Sequence, residues 1–442
     1  MKLFGTDGVR GVAGEQLTED LAWALGRAVT EHCSTPTPQG LIVRDTRESG
    51  PGLERALAEG IASAGGQALM AGVLPTPAAS VMVRRLGLDY AAVVSASHNP
   101  WRDNGIKYFD HRGLKLDHAD EAAIEERVLE LMEERKGRPA DAKVGEARKL
   151  HGALDDYLRE LTSVFALDLS GQRIVIDCAN GATHEAAPAI FRRLGAEVEV
   201  IADAPDGRNI NEGCGSTHPE LLSERVVASG AALGFAFDGD GDRVIAVDGT
   251  GRVRDGDELI ALAAHHLRST GELPGPGVVV TVMSNFGFHR AMDSAGIEVA
   301  TTPVGDRHVA AELRAREWAL GGEQSGHLIW TEFAPTGDGI AAALLILRAL
   351  GGEPLADAKP MERLPQVLRN VEVADREEAA SSKALAEAVE AENAALGDRG
   401  RVLVRPSGTE PLLRVMVEAP TEQEAEEVCG KLVALVENEL GK

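Results

Sequence analysis

Aromatic residues make up only 4% of this 442-residue chain, so its interior must be built from Ala, Val, Leu and Ile. Cysteine is sparse as well. Cys33, Cys178, Cys214 and Cys429 are scattered, with no Cys-x-x-Cys pair and no histidine at zinc spacing. That excludes a disulfide framework and a structural zinc site, and predicts reduced, buried thiols. Cations are outnumbered, 45 Lys and Arg against 70 Asp and Glu, for a formal net charge of -25. Non-specific binding to nucleic acid rests on neutralising phosphates, so nucleic acid and anionic membrane surfaces are excluded as partners. A phosphorylated small molecule is compatible with this charge where local cations overcome the long-range field. No apolar run is long enough to span a bilayer, and the opening Met1 to Gly8 lacks the apolar core of a secretion signal. The expectation is a cytoplasmic protein.

With 44% hydrophobic residues the chain reads as soluble and globular, and its length exceeds one hydrophobic core, suggesting about three domains. Strand and helix patterns alternate through the first three-quarters. Leu41 to Val43, Ala68 to Ala71 and Ala91 to Ser95 read as strands, and Leu53 to Ala64 as a helix. Gly171 to Asp177 precedes a helix from His184, and Gly277 to Val282 precedes one from Gly287. Such alternation predicts layered α/β units with largely parallel sheets. Composition turns charged and rich in Pro and Gly at residues 133–146 and again at 351–365. The last stretch differs. A helix over Glu377 to Leu396, strands over Arg401 to Arg405 and Leu412 to Glu418, and a helix from Thr421 with Glu424 as capping-box partner make a small α+β unit. The expected domains are 1–150, 151–252, 253–365 and 366–442.

An internal repeat supports that division. After Ser97 the chain runs Ile106 to Asp110, turns at Gly113 and starts a helix at Asp117. Further on it runs Val244 to Asp248, turns at Gly251 and starts a helix at Asp255. A third loop, Gly322 to His327, precedes Leu328 to Thr331 and a helix entered at Asp338. Three related units would turn three loops toward one cleft.

The second of these loops, Asp238-Gly239-Asp240-Gly241-Asp242-Arg243, follows a strand-like run from Ala231 to Phe237. Its glycines let the chain curl so that three carboxylates converge on one hard cation such as Mg²⁺. A calcium EF-hand counted from Asp238 needs Gly at its sixth place and Glu at its twelfth. Here those are Arg243 and Gly249, which excludes it.

The first loop, Ser95-Ala96-Ser97-His98-Asn99-Pro100, ends a buried strand in hydroxyl and imidazole groups, so a serine there suits a nucleophile or phosphoryl carrier. No Gly-x-Ser-x-Gly elbow is present, which disfavours an α/β-hydrolase. Lys107 follows within Asp103 to Lys107. Near the end, Arg405-Pro406-Ser407-Gly408-Thr409-Glu410-Pro411 with Arg414 combines guanidinium forks, hydroxyls and glycine-freed amides, the make-up of a phosphate clamp. Glu323-Gln324-Ser325-Gly326-His327 suits vicinal sugar hydroxyls, with His327 a candidate acid or base. Each of these taken alone also reads as an ordinary turn.

Together and in this order, with the opening Phe4-Gly5-Thr6-Asp7-Gly8-Val9-Arg10-Gly11, these motifs resemble the α-D-phosphohexomutase superfamily over essentially the whole chain. The resemblance implies an α/β architecture of three related α/β domains with mixed, largely parallel sheets plus a smaller C-terminal α+β domain, around a central cleft. It implies a phosphoserine at Ser97 and one Mg²⁺ held by Asp238, Asp240, Asp242 and the phosphorylated Ser97. Lys107 and Arg243 would stabilise the transferring phosphoryl group beside His98. Arg10, Lys107 and His327 are candidates for proton transfer. Glu323 and Ser325 would grip sugar hydroxyls, and Arg405, Ser407, Gly408, Thr409 and Arg414 the phosphate that is not reacting.

Within the superfamily, Gln324 and the Phe4 to Gly11 opening are similar to the glucosamine branch rather than the mannose/glucose branch. His308 stands where tyrosine would be expected. The implied activity is interconversion of glucosamine 6-phosphate and glucosamine 1-phosphate through a 1,6-bisphosphate intermediate, which also serves as activator, for UDP-N-acetylglucosamine and cell-wall precursor synthesis. The implied assembly is a homodimer. A phosphomannomutase/phosphoglucomutase is the alternative. A sugar-phosphate binding protein without turnover would lack the serine or an aspartate, and all are present.

Overall fold

The helices entered at aspartates begin where side-chain capping places them. In the computed structural model, which describes residues 3–5, 7–135, 145–407 and 411–440, Asp255 accepts from the Glu258 amide at 3.2 Å and opens Gly256–Thr270. Asp338 accepts from the Ala341 amide at 2.9 Å and opens Gly339–Leu350. Asp117 accepts from the amides of Ala119 and Asp120, both at 2.9 Å, ahead of His118–Arg135. Each cap satisfies orphan amide donors of a first turn. The repeated turns also match bond for bond. The Asp110 carbonyl accepts from Gly113 N and the Asp248 carbonyl from Gly251 N, while each aspartate side chain accepts from amides two and four residues on.

The described chain forms two compact units, Met1–Met283 with Ile297–Lys359, and Ser284–Gly296 with Pro360–Lys442. Three mixed sheets make up the first. In one, Tyr90–Val94, Gln39–Arg44, Gln67–Val73 and Glu146–Lys149 run parallel, while Asp103–Asp110 lies antiparallel to Tyr90–Val94 and carries Val9–Val12 outside it. In the next, Leu233–Phe237, Arg173–Asp177 and Glu197–Ile201 are parallel, and Val244–Asp248 with Val253–Arg254 adds an antiparallel edge. The last places Glu298–Thr302, Gly277–Thr281 and Leu320–Gly322 parallel and Leu328–Trp330 antiparallel. Leu, Ile, Val and Ala dominate the buried positions. In all three sheets the loop singled out from sequence joins a parallel strand to its antiparallel neighbour. It therefore leaves from the carboxyl end of a parallel strand, where open α/β sheets hold their sites.

The second unit has an antiparallel sheet, Gln366–Glu372, Leu412–Glu418 and Arg401–Pro406. The buried Glu418 there accepts from Arg401 Nε at 2.7 Å and from the Phe286 amide at 2.8 Å. One expectation is corrected. The helix read as continuous over Glu377 to Leu396 is two, Arg376–Ala380 and Lys383–Leu396. Ser382 breaks it, because its hydroxyl accepts from the Leu385 amide and caps the second helix instead of continuing the first. The expected composition boundary at 133–146 falls largely on residues outside those described. Cys178, Cys214 and Cys429 are buried, Cys33 is half-buried, and all are free. Among the described residues no helix is long and apolar enough to cross a membrane.

One buried contact has a measurable pH signature. The Tyr157 hydroxyl donates to Asp338 at 2.8 Å, and burial pushes Asp338 up to about 6 in spite of that bond and its amide donors. A carboxyl raised in the folded state contributes stability below its unfolded value, and that contribution is lost as pH rises through about 6. Tyr157→Phe withdraws a donor that the charged form uses most. It should therefore destabilise by about 1 to 3 kcal/mol, with a larger fall in melting temperature at pH 8 than at pH 5. Equal falls at both pH values would remove Asp338 from the explanation.

Candidate active site

Ser97 sits at the end of Tyr90–Val94 with φ of 52°, a left-handed conformation that a residue with a Cβ holds only when its surroundings enforce it. Arg47 does so. Fully buried, its guanidinium bonds the carbonyls of Ser97 and Asn99, each at 2.9 Å, and those of Pro100 and Asp103. Asn211 Nδ2 also donates to the Ser97 carbonyl at 2.9 Å. Arg47 Nε is paired with Asp45 at 2.8 Å, and Asp45 accepts from the Ser95 hydroxyl at 2.5 Å. The Ser95 oxygen in turn accepts from the Ser97 amide at 3.0 Å. With the loop backbone tied down, the Ser97 hydroxyl donates to Asp238 Oδ2 at 2.6 Å and lies 3.4 Å from His98 Nδ1.

Asp238, Asp240 and Asp242 are buried, with one ligand atom of each within 4.8 Å of the others. A Cβ on Gly239 would stand 2.6 Å from the Ser97 carbonyl, so glycine is what lets this loop reach the serine loop. Asp240 Oδ2 takes the Thr76 hydroxyl at 2.6 Å and Lys107 Nζ at 2.8 Å. Asp240 Oδ1 and Asp242 Oδ1 are buried without a hydrogen-bond partner. Burial, with the charges of Asp242 and Asp240, holds Asp238 well above the usual carboxylate range. Crowded carboxylates with orphaned oxygens fit a hard divalent cation.

Around this cluster, charges alternate in a closed circuit. Lys107 Nζ lies 3.6 Å from Asp242 and 3.7 Å from Asp7. Against the downward pull of burial, Asp240, Asp7 and Asp242 hold Lys107 above its ordinary value. Asp7 is bonded to Arg10 and to Lys115, and Lys115 also to Asp306. His327 closes the circuit, 3.7 Å from Asp306 on one side and 3.7 Å from Asp242 on the other, with the Gly337 amide donating to its Nε2 at 3.2 Å. Burial lowers His327, but Asp242 and Asp306 outweigh it and the imidazole titrates above its ordinary value.

Backbone bonds seat the third loop, Gly256 N to the Gln324 carbonyl at 3.0 Å and Val244 N to the Gly326 carbonyl at 3.1 Å. Glu323 accepts from the Gly305 amide at 3.0 Å. Ser325 is exposed. A cavity of about 490 Å³ is lined by Arg10, Ser97, His98, Asp242, Arg243, Glu323 and His327, with His308 on its wall. Lys107 is only 3% exposed. Burial, with the cations Arg243 and Arg10, holds His98 below its ordinary value.

In the second unit, Arg405 and Arg414 are direct partners across antiparallel strands, and the hairpin is closed by Ser407 N to the Leu412 carbonyl at 2.9 Å. Like charges placed directly opposite are unfavourable without an anion between them. The Ser407 hydroxyl and Arg414 Nε are buried without partners, while burial and the Arg414 charge pull Arg405 below its ordinary value. Gly408 and Thr409 lie outside the described residues.

Sequence reasoning missed Asp45 and Arg47, which build the serine loop, and also Thr76, Lys115 and Asp306. The available signal was positional. Asp45-Thr46-Arg47 leaves the carboxyl end of the parallel strand Gln39–Arg44, and Asp306 opens the helix Asp306–Arg316.

Family models for phosphoglucomutase/phosphomannomutase match the chain throughout: alpha/beta/alpha domain I over residues 1–135, domain II over 155–251, domain III over 255–367 and the C-terminal domain over 368–435. Sheets, serine loop and carboxylate cluster together define a phosphohexomutase, and the chain belongs to the phosphoglucomutase/phosphomannomutase family. Its fold is shared by a phosphoglucomutase/phosphomannomutase family protein from Burkholderia thailandensis, with TM-score 0.82, 25% identity and coverage of 99% of this chain and 97% of that one. It is shared too by the Aspergillus fumigatus N-acetylphosphoglucosamine mutase solved with GlcNAc-6P and magnesium, with TM-score 0.66, 19% identity and coverage of 99% and 95%.

Among curated relatives, the phosphoglucosamine mutase of Moorella thermoacetica is 50% identical over 436 residues, 98% of each chain. That of Pelotomaculum thermopropionicum is 49% identical over 441 residues, again 98% of each. Within the superfamily, then, this chain is a member of the phosphoglucosamine mutase family.

Proposed function

We propose that this protein interconverts glucosamine 6-phosphate and glucosamine 1-phosphate by way of a phosphoserine at Ser97. The observation that carries the reading is the Ser97 hydroxyl held 2.6 Å from Asp238, at the mouth of three buried carboxylates, in a chain half identical to proteins named phosphoglucosamine mutase. Asp238, Asp240 and Asp242, with phosphorylated Ser97, would hold Mg²⁺, which would supply charge neutralisation for the transferring group.

In the forward direction the bond from Ser97 Oγ to phosphorus breaks as the free sugar hydroxyl bonds to phosphorus. The hydroxyl proton leaves to a protein base, and Ser97 Oγ regains a proton. The resulting 1,6-bisphosphate turns over while bound, returns its 6-phosphate to Ser97 and leaves as the 1-phosphate, a precursor for UDP-N-acetylglucosamine. Lys107 and Arg243 offset charge on the phosphoryl oxygens, the main lever for this reaction class, and His98 flanks the serine. Arg10, Lys107 and His327 are the proposed proton-transfer groups. Glu323 and Ser325 grip sugar hydroxyls. Arg405, Ser407, Gly408, Thr409 and Arg414 hold the phosphate at rest, a role supported by the unpartnered Ser407 hydroxyl and Arg414 Nε. The location is the cytoplasm and the assembly a homodimer. Four domains, 1–150, 151–252, 253–365 and 366–442, remain our division. Two details cross it: Val253–Arg254 pairs with the second sheet, and Ser284–Gly296 packs with the last unit.

Substrate choice tests the reading. Glucosamine 6-phosphate presents an ammonium where its glucose counterpart has a hydroxyl, and one hydrogen bond to a charged group contributes roughly 1.5 to 3 kcal/mol. Competition under one metal and activator concentration should therefore show kcat/KM higher by at least about tenfold for glucosamine 6-phosphate than for glucose or mannose 6-phosphate. Equal or better turnover of mannose 6-phosphate would move the chain to the phosphomannomutase/phosphoglucomutase reading.

A further inference from the structure

Lys115 belongs to none of the motifs that carry the chemistry. It follows the Gly113 turn, in the stretch that leads from the strand Asp103–Asp110 to the helix His118–Arg135. Its ammonium is nevertheless bonded to both Asp7, in the opening segment, and Asp306, at the start of the helix Asp306–Arg316 in the third sheet's layer. The side chains of Lys115, Asp7 and Asp306 are 14%, 20% and 19% exposed. Each carboxylate leads directly to the site. Asp7 is bonded to Arg10 and stands 3.7 Å from Lys107, and Asp306 stands 3.7 Å from His327. The side of the site that carries Ser97 and Lys107 is thus joined to the side that carries Glu323 and His327 through Lys115, in addition to the contacts of Asp242 with Lys107 and His327 and the pairing of Arg307 with Glu121.

From this geometry we infer that Lys115 is a positioning residue for phosphoryl transfer: by neutralising Asp7 and Asp306 together, it sets the separation of the serine half and the sugar half of the site. Two carboxylates that share one ammonium attract toward it. Without it, they repel each other and lack the solvent to compensate. Arg10 and Lys107 would then shift with Asp7, and His327 with Asp306, although neither Lys115 nor its partners are proposed to coordinate the metal. Against the downward pull of burial, Asp306 and Asp7 hold Lys115 above its ordinary value, so it remains a cation across the working pH range.

The inference rests on the mutase reading, and wild-type turnover of glucosamine 6-phosphate tests that reading separately. With the full-length enzyme active, Lys115→Met should lower kcat on the order of a hundredfold, the cost of misplacing reacting groups by about 1 Å. KM should change less than about threefold, because alignment for transfer is lost and not ground-state binding. Lys115→Arg, which keeps the charge, should retain activity within about tenfold. The double variant Lys115→Met with Asp306→Asn removes the repulsion and should be faster than Lys115→Met alone. A structural role without positioning would lower melting temperature and leave kcat of the folded fraction intact. Should the Met variant fail to fold, Lys115→Gln is read in the same way. Unchanged kcat in the folded Met or Gln variant, or losses from Lys115→Met and Asp306→Asn that simply multiply, would overturn the inference.

Discussion

Ser97→Ala should fold normally and reduce mutase activity by at least about a thousandfold, because the atom proposed to carry the phosphoryl group is gone and none nearby can replace it. Ser95 is the nearest hydroxyl in sequence, yet its oxygen is fully committed, donating to Asp45 at 2.5 Å and accepting from the Ser97 amide at 3.0 Å. Peptide mapping of active enzyme should accordingly place the phosphate at Ser97. A phosphate at Ser95, or an alanine variant that still turns over, would falsify the carrier assignment. Folding should survive because Arg47 and Asn211 hold the loop through the backbone carbonyl of residue 97 and not through its side chain.

Excess chelator should abolish turnover and Mg²⁺ should restore it, and Asp240→Asn should cost at least about a hundredfold in kcat, the usual scale for removing one preorganised charge-stabilising group. Asp240 has one oxygen bonded to Thr76 and Lys107 and the other buried without a partner. An asparagine that keeps its carbonyl toward Lys107 must turn its NH₂ into the place where the cation belongs, so the substitution replaces a ligand with a repulsive donor. Activity that persists in chelator, or an Asp240→Asn variant within a few-fold of wild type, would leave the carboxylate cluster without a metal role.

Helix starts were legible because a cap is a local bargain between one side chain and amides two or three residues away. Asp117, Asp255 and Asp338 needed no tertiary partner to declare themselves. The one helix misjudged, Glu377 to Leu396, failed for the same local reason: a serine at 382 also caps, and a propensity reading that favoured the surrounding Ala and Glu passed over it. The Asp238 to Asp242 loop was visible because all three carboxylates, alternating with glycines, lie within one five-residue segment.

Arg47 was not visible, since four of its five donors reach carbonyls some fifty residues away, and nothing near position 47 marks those as its targets. Lys115 was invisible for the same reason, with Asp7 108 positions before it and Asp306 191 positions after. By itself the sequence determined which chemistry each loop offers, because ligand and cap residues act through their own neighbourhoods. Only the tertiary structure decided how the serine, lysine and histidine are held to one another, because buried charges take partners wherever the fold brings a counter-charge within reach.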